Sequence, residues 1–154
     1  MNALLAVESA DPASPESVLL VQHLWDELGS LYGNTGPCQF APGDVSGGGA
    51  VFVLARLAGR AVGCGALRPL EPGIAELKRI FVEPGARRQG IGGEILRTLE
   101  GNARQSGYVK LWLETGVHQP GALRLYETHG FKRIKCYGLY ADDPLSCCFE
   151  KALK

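Results

Sequence analysis

Glu76-Leu77-Lys78-Arg79-Ile80-Phe81-Val82-Glu83-Pro84-Gly85-Ala86-Arg87-Arg88-Gln89-Gly90-Ile91-Gly92-Gly93 reads as a strand that passes through a loop into the first turn of a helix. Pro84-Gly85 ends the strand, and Ile91, Ile95, Leu99 and Ala103 then recur at the spacing of one helical stripe packed on a sheet. The opening N–H groups of a helix have no internal partner and sit at the positive end of its dipole, so an anion fits there. Gly90, Gly92 and Gly93 leave the backbone open to close approach, Arg87 and Arg88 add positive charge, and a pyrophosphate is the natural occupant. Tight strand-to-helix packing is the other reason for such glycines. Within the strand, Lys78 and Arg79 interrupt the apolar alternation, which predicts a bulge able to turn a backbone N–H outward.

Two better-known phosphate cradles do not fit. The dinucleotide fingerprint fails because Ile95 stands three positions after Gly92, and no Gly-Lys-Ser/Thr follows to make a Walker loop.

Working outward, Ala3 to Ser9 is a short strand, and Ser14-Pro15 opens a helix with a serine cap and proline at its first position. Leu19, Leu20, His23, Leu24, Leu28 and Leu31 follow at helical spacing. Gly33 to Ala50 is rich in Gly, Pro, Asn and Ser, a loop long enough to suggest substrate contacts. Val51 to Arg56, Ala61 to Leu67 and Ile74 to Val82 form an antiparallel meander. A strand from Tyr108 to Glu114, a helix from Gln119-Pro120 to His129 stopped by Gly130, and strands at Phe131 to Tyr137 and Ser146 to Lys151 complete the chain. The order β-α-βββ-α-β-α-ββ predicts one α+β domain over residues 1–154, built on a mixed, mostly antiparallel sheet.

Lys and Arg number 16 and Asp and Glu 16, so the net charge of zero removes the attraction to phosphate polymers and anionic lipid on which nucleic-acid and membrane binding rest. No run approaches the roughly 20 apolar residues of a membrane span, and the apolar start lacks a basic leader. Cys38, Cys64, Cys136, Cys147 and Cys148 include no Cys-x-x-Cys, and with no histidine at metal spacing they are expected to be reduced thiols of a cytoplasmic protein without a metal site.

Arg87-Arg88-Gln89-Gly90-Ile91-Gly92, following Val82-Glu83-Pro84, resembles the Gln/Arg-x-x-Gly-x-Gly/Ala signature of the GNAT family of N-acetyltransferases. Glu76 to Val82 is similar to that family's fourth strand, and Gln119-Pro-Gly-Ala-Leu-Arg-Leu-Tyr-Glu-Thr-His-Gly-Phe131 to its last helix and the strand after it. The resemblance covers Ile74 to Lys151; the first half matches only in the order of its elements. It implies about seven strands with a splayed central pair and about four flanking helices. It also implies acetyl-coenzyme A as co-substrate, with pantetheine along Ile80, Phe81 and Val82, pyrophosphate on the backbone of Arg87, Arg88, Gln89, Gly90, Ile91, Gly92 and Gly93, and further contacts from Gln119, Ala122 and Tyr126. Gln119 departs from the asparagine common at its position, which weakens any hydrogen bond carried over to it. A homodimer is what the family commonly forms.

Acetyl transfer to an amine requires removal of the amine's proton and protonation of the departing thiolate. Tyr126 is the candidate acid, from its place in the family pattern near the coenzyme sulfur. Glu76 is the first candidate base, with an ion pair to Lys78 or Arg79 as its competing role; Glu114 beside Trp112 is the second, and a water chain the third. The expected function is acetyl transfer to a primary amine of a small molecule or to a terminal amine by direct attack. The alternatives are a non-catalytic acyl-coenzyme A sensor and a protein lysine or N-terminal acetyltransferase. Tyr32, Phe40, Tyr137, Tyr140, Asp142 and Asp143 are candidate acceptor contacts, and a cationic acceptor would suit the two aspartates.

Overall fold

The structure, a computed structural model, describes residues 4–33 and 38–153. Ala3 of the expected first strand and residues 34–37 of the expected loop lie outside the described residues. Strand β1 (Leu5–Ser9) leads to helix α1 (Pro15–Tyr32), then to the meander β2 (Val51–Leu57), β3 (Arg60–Glu71) and β4 (Ile74–Val82). Helix α2 (Ile91–Gln105), β5 (Lys110–Gly116), α3 (Pro120–Thr128), β6 (Lys132–Ile134) and β7 (Ser146–Ala152) follow. Three α-helices therefore flank the sheet where about four were expected; three short 3-10 turns, at 42–45, 84–86 and 138–140, take up the remaining connections.

The seven strands lie in the order β1-β2-β3-β4-β5-β7-β6, and every neighbouring pair is antiparallel except β4 and β5. That parallel pairing lasts only from Ile74, Ala75 and Glu76 against Lys110, Leu111 and Trp112. Beyond it β4 continues to Val82 and β5 to Gly116 with no ladder between them, so the sheet splits at its centre. The bulge expected at Lys78 and Arg79 lies one residue further on: Lys78 pairs regularly with Ala66 and Phe81 with Cys64, leaving Arg79 and Ile80 opposite Gly65 alone. Arg79 adopts a left-handed φ of 59°. Its guanidinium reaches Asp44 at 2.9 Å and the Ala41 carbonyl at 3.0 Å and lies over the Phe40 ring, which latches the 40–45 segment to the bulge.

Each face of the sheet carries one apolar cluster. The α2 stripe of Ile91, Ile95, Leu99 and Ala103 is buried with Leu77, Leu111, Leu113 and Phe149 on one face; on the other, Leu20, Leu24 and Val21 of α1 cover Phe52, Leu54, Cys64 and Phe81. Leu19 and Leu31 share α1's spacing but stay exposed. Helix α1 starts as expected, with the Ser14 hydroxyl accepting from the Ser17 N–H after Pro15 opens the first turn, and Gly33 closes it at φ 78°.

Two departures occur near the C-terminus. Strand β6 is only three residues long, so Lys135 to Ala141 is a strap rather than a strand, and Cys136 is bonded to Cys148 in a disulfide, with the Cα atoms 5.1 Å apart. The expectation of five reduced thiols is corrected for this pair. Ile134 pairs with Cys148 in the ladder, which returns Cys136 beside the same β7 residue. Cys38, Cys64 and Cys147 are free thiols.

Candidate functional site

The loop between β4 and α2 is held from behind. Arg87 donates to the Val82 carbonyl at 2.8 Å and pairs with Glu27 of α1 at 2.7 Å, so its charge is answered within the protein. Arg88, exposed and at a left-handed φ of 67°, makes no ion pair among the described residues. Gln89 turns its amide back to the Ala86 carbonyl. Gly90 takes φ 78°, a conformation costly for any residue with a Cβ, and supplies no side-chain cap; the first helical bond is Glu94 N–H to Gly90 carbonyl. A Cβ on Gly90 would enter open space, whereas one on Gly92 would meet Leu125 at 3.1 Å and one on Gly93 would meet His129 at 2.7 Å. The two expected reasons for the glycines thus divide: Gly90 opens the backbone, and Gly92 and Gly93 admit α3.

A cleft of about 780 Å³ runs from this helix start to the end of β4 and across to α1 and α3. Ile80, Phe81, Val82, Arg87, Arg88, Gly90, Ile91, Gly92, Gly93, Gln119, Ala122 and Tyr126 all line it; Gln89 and Glu76 do not. Arg124 of α3 lines it too and has no ion pair among the described residues. Sequence reasoning missed Arg124 and the α1 wall of Leu24, Glu27 and Leu31, although the i, i+3, i+7 spacing of that wall placed all three on one helix face. Gln119 does hold a network: its Oε1 accepts from the Gly116 N–H at 3.1 Å and from the Tyr32 hydroxyl at 3.2 Å, and Tyr32 in turn accepts from the His118 N–H and stacks on the His118 ring.

Coenzyme A fits these residues on three observations. The first turn of α2 offers uncapped N–H groups, Arg88 and Arg124 stand uncommitted beside it, and the edge of β4 past Glu76 has no strand partner, leaving backbone groups for an amide-bearing chain. Tyr126 is buried at the inner wall, packed on Phe131 and Phe149, and its hydroxyl has no hydrogen-bond partner among the described residues. Burial, helped by the Glu114 charge, raises its pKa, so the phenol keeps its proton at neutral pH.

Glu76 points to the sheet face opposite α2 and is 3% exposed. It accepts from the Tyr137 hydroxyl at 2.7 Å, and Arg68 and Lys78 lie 3.3 and 3.9 Å from its Oε1. Of the two ion pairs weighed from sequence, the one with Lys78 forms, while Arg79 turns to Asp44 and Arg68 takes a place beside Glu76. Burial raises the pKa of Tyr137, with the Glu76 charge adding to it. Glu114 is the first residue on this face of β5 past the last paired residue, Trp112, and accepts from the Ser146 hydroxyl at 2.7 Å. Burial raises the Glu114 pKa, opposed by the Ser146 bond and the Lys78 charge. The cysteines offer little as acyl carriers: burial pushes the Cys64 thiol up to about 12, and Cys136 and Cys148 are bonded to each other. Among the described residues no group of three or more His, Cys, Asp or Glu could hold a metal ion, and no helix is long and apolar enough to cross a membrane.

Comparison with known proteins bears on this geometry. The acetyltransferase (GNAT) family profile matches residues 19–131. An IAA acetyltransferase from Azospirillum brasilense is 38% identical over 162 residues, 99% of this chain and 99% of its own. A Klebsiella pneumoniae structure named as an acyl-CoA N-acyltransferase superposes with a TM-score of 0.84 at 33% identity, covering 99% of this chain and 100% of that one. A GNAT acetyltransferase from Elizabethkingia anophelis, solved with acetyl-CoA bound, shares the fold at a TM-score of 0.69 and 21% identity over 97% of this chain and 98% of its own. The chain belongs to the GNAT acetyltransferase family, and is an acyltransferase that takes its acyl group from acetyl-CoA.

Proposed function

We propose that the enzyme transfers the acetyl group of acetyl-CoA to a primary amine of a small molecule, by direct attack of the amine on the thioester. The observation that carries this reading is the split in the sheet. It lies between the coenzyme cleft, lined by Tyr126, and the face bearing Glu76 and Glu114, and the Glu114 charge acts on Tyr126 across it, so in this reading donor and acceptor meet at the split.

In this reading the amine nitrogen bonds to the carbonyl carbon, the carbon–sulfur bond breaks, Tyr126 gives its proton to the departing thiolate, and a carboxylate takes the proton from the amine. In this reading a backbone N–H at the bulge of Arg79 and Ile80 donates to the thioester oxygen. Glu76 and Glu114 are the two carboxylates available. Both oxygens of Glu76 are engaged, one by Tyr137 and the other by the two cations, which suits it to order the site. Glu114 stands on β5 just past the end of its ladder with β4, and burial raises its pKa, which suits a base. We therefore give the amine's proton to Glu114 and make Glu76 a positioning residue. Release of free coenzyme A thiol from acetyl-CoA across a panel of small amines tests the transfer. Amine-dependent release supports it, and coenzyme binding without release from any amine leaves an acyl-CoA sensor instead.

A further inference from the structure

The register of the central strands places charged groups in two rows on the acceptor face. Arg68, Glu76, Trp112 and Glu150 form the first row across β3, β4, β5 and β7; in the next, Lys78 on β4 and Glu114 on β5 stand on either side of the split. Arg68 and Lys78 converge on the same oxygen of Glu76, whose other oxygen is held by Tyr137. Two cations therefore share one carboxylate. The Nε of Arg68 is buried and has no hydrogen bond, because the Glu76 oxygen 3.3 Å away is not aligned to accept one. The rest of the Arg68 side chain is partly open to solvent and makes no further ion pair among the described residues. A buried donor without an acceptor, at the edge of an accessible guanidinium, is a site for an anion that the protein does not supply.

Resting on the proposed transfer reaction, we propose that the acceptor is an amino acid or similar amino-carboxylate, whose carboxylate is bound by Arg68 and Lys78 while its amine faces Glu114. The charges read both ends of such a molecule: the cations bind the acid and the carboxylate of Glu114 receives the amine's proton. Glu76 and Glu114 stand among these two cations, so the face carries charges of both signs and matches a molecule that carries both. The turn aspartates are exposed, and Asp143 accepts from the Leu145 N–H of its own turn while its charge reaches Glu114. Trp112 and Tyr137, with ring centroids 4.9 Å apart, and Tyr140, which accepts from Lys78, wall the same face and suit an apolar or flat side chain on the acceptor.

The test compares amino acids with their own amides, which keep the amine and side chain but lose the negative charge, by thiol release at saturating acetyl-CoA. The free acids are expected to exceed their amides about 10–100-fold in kcat/KM, the size of one charge-assisted contact. Arg68→Met should bring the acid down to the level of the amide, mainly through KM, and Arg68→Lys should restore part of the difference. Equal rates for acid and amide in the unmodified enzyme would overturn the proposal, as would an Arg68→Met loss of the same size on both substrates. If amides and simple amines are acetylated well and acids are not, the transfer reaction stands and the carboxylate site falls; silence with every amine, while coenzyme A still binds by calorimetry, removes the transfer reading and this proposal together.

Discussion

Tyr126 and Glu114 handle opposite ends of the proton's path, so their substitutions should differ in kind. Tyr126→Phe keeps the ring packed on Phe131 and Phe149 and removes one hydroxyl. Its kcat is expected to fall about 10²–10⁴-fold while coenzyme affinity, read by calorimetry, stays unchanged. Glu114 must be ionised to act, and burial raises its pKa, so activity should climb with pH through that raised value. Glu114→Gln should lower the rate and erase that acid limb, whereas Glu76→Gln should act chiefly on acceptor KM and leave the limb in place. Stability follows with a defined sign. A carboxyl whose folded pKa is raised contributes fully below the ordinary glutamate range and loses that contribution as pH rises through the raised value. The permanently neutral Glu114→Gln should therefore match the parent's melting temperature in acid, exceed it by a growing margin as pH rises from the ordinary glutamate range through the raised value, and keep a constant margin above it.

At the level of elements, the contact between α2 and the sheet depends on Gly65. Its missing Cβ is the space into which Ile95, Ile80 and Leu99 pack; a Cβ there would lie 2.7, 2.8 and 3.1 Å from them. Gly65→Ala should cost about 1–3 kcal/mol in urea unfolding, because the neighbours are stiff core side chains. Gly92→Val must push Leu125 of α3 as well as crowd the cradle, so it should lose coenzyme affinity and some melting temperature together. These packing demands account for what could be read in the sequence. The α2 stripe, the serine cap of α1, the Gly-rich cradle and, to within one residue, the β4 bulge are local patterns of spacing and turn chemistry, visible within a few residues. The Tyr137–Glu76 bond, the Arg68–Lys78 pairing on Glu76 and the Tyr32–Gln119 network join residues 61, 8, 2 and 87 positions apart; of these only the neighbouring Glu76 and Lys78 could be paired on sight, and the others needed the strand register.

For the molecule as a whole, the divided sheet is a frame whose two halves meet at the coenzyme. Binding should slow hydrogen exchange at the start of α2 and raise overall stability by about 2.7 kcal/mol at a hundredfold excess over Kd. An unchanged exchange pattern at saturating coenzyme A would remove the α2 cradle from the binding site. The fold class and the order of the elements along the chain followed from the hydrophobic pattern. The closing segment did not, because β6 stops after three residues and the chain then crosses the acceptor face as the 135–141 strap, pinned by side chains from β4 and by Cys148. The Cys136–Cys148 bond makes residues 136–148 a covalent ring, and its outer arc, Ala141 to Leu145, is exposed. A protease that cuts this arc should therefore open the ring without separating the molecule. By mass spectrometry the nicked protein should stay whole, heavier by one water, without reductant and lose a short C-terminal peptide with it, and Tyr137, still tethered at Cys136, should keep its place over Glu76 after the cut.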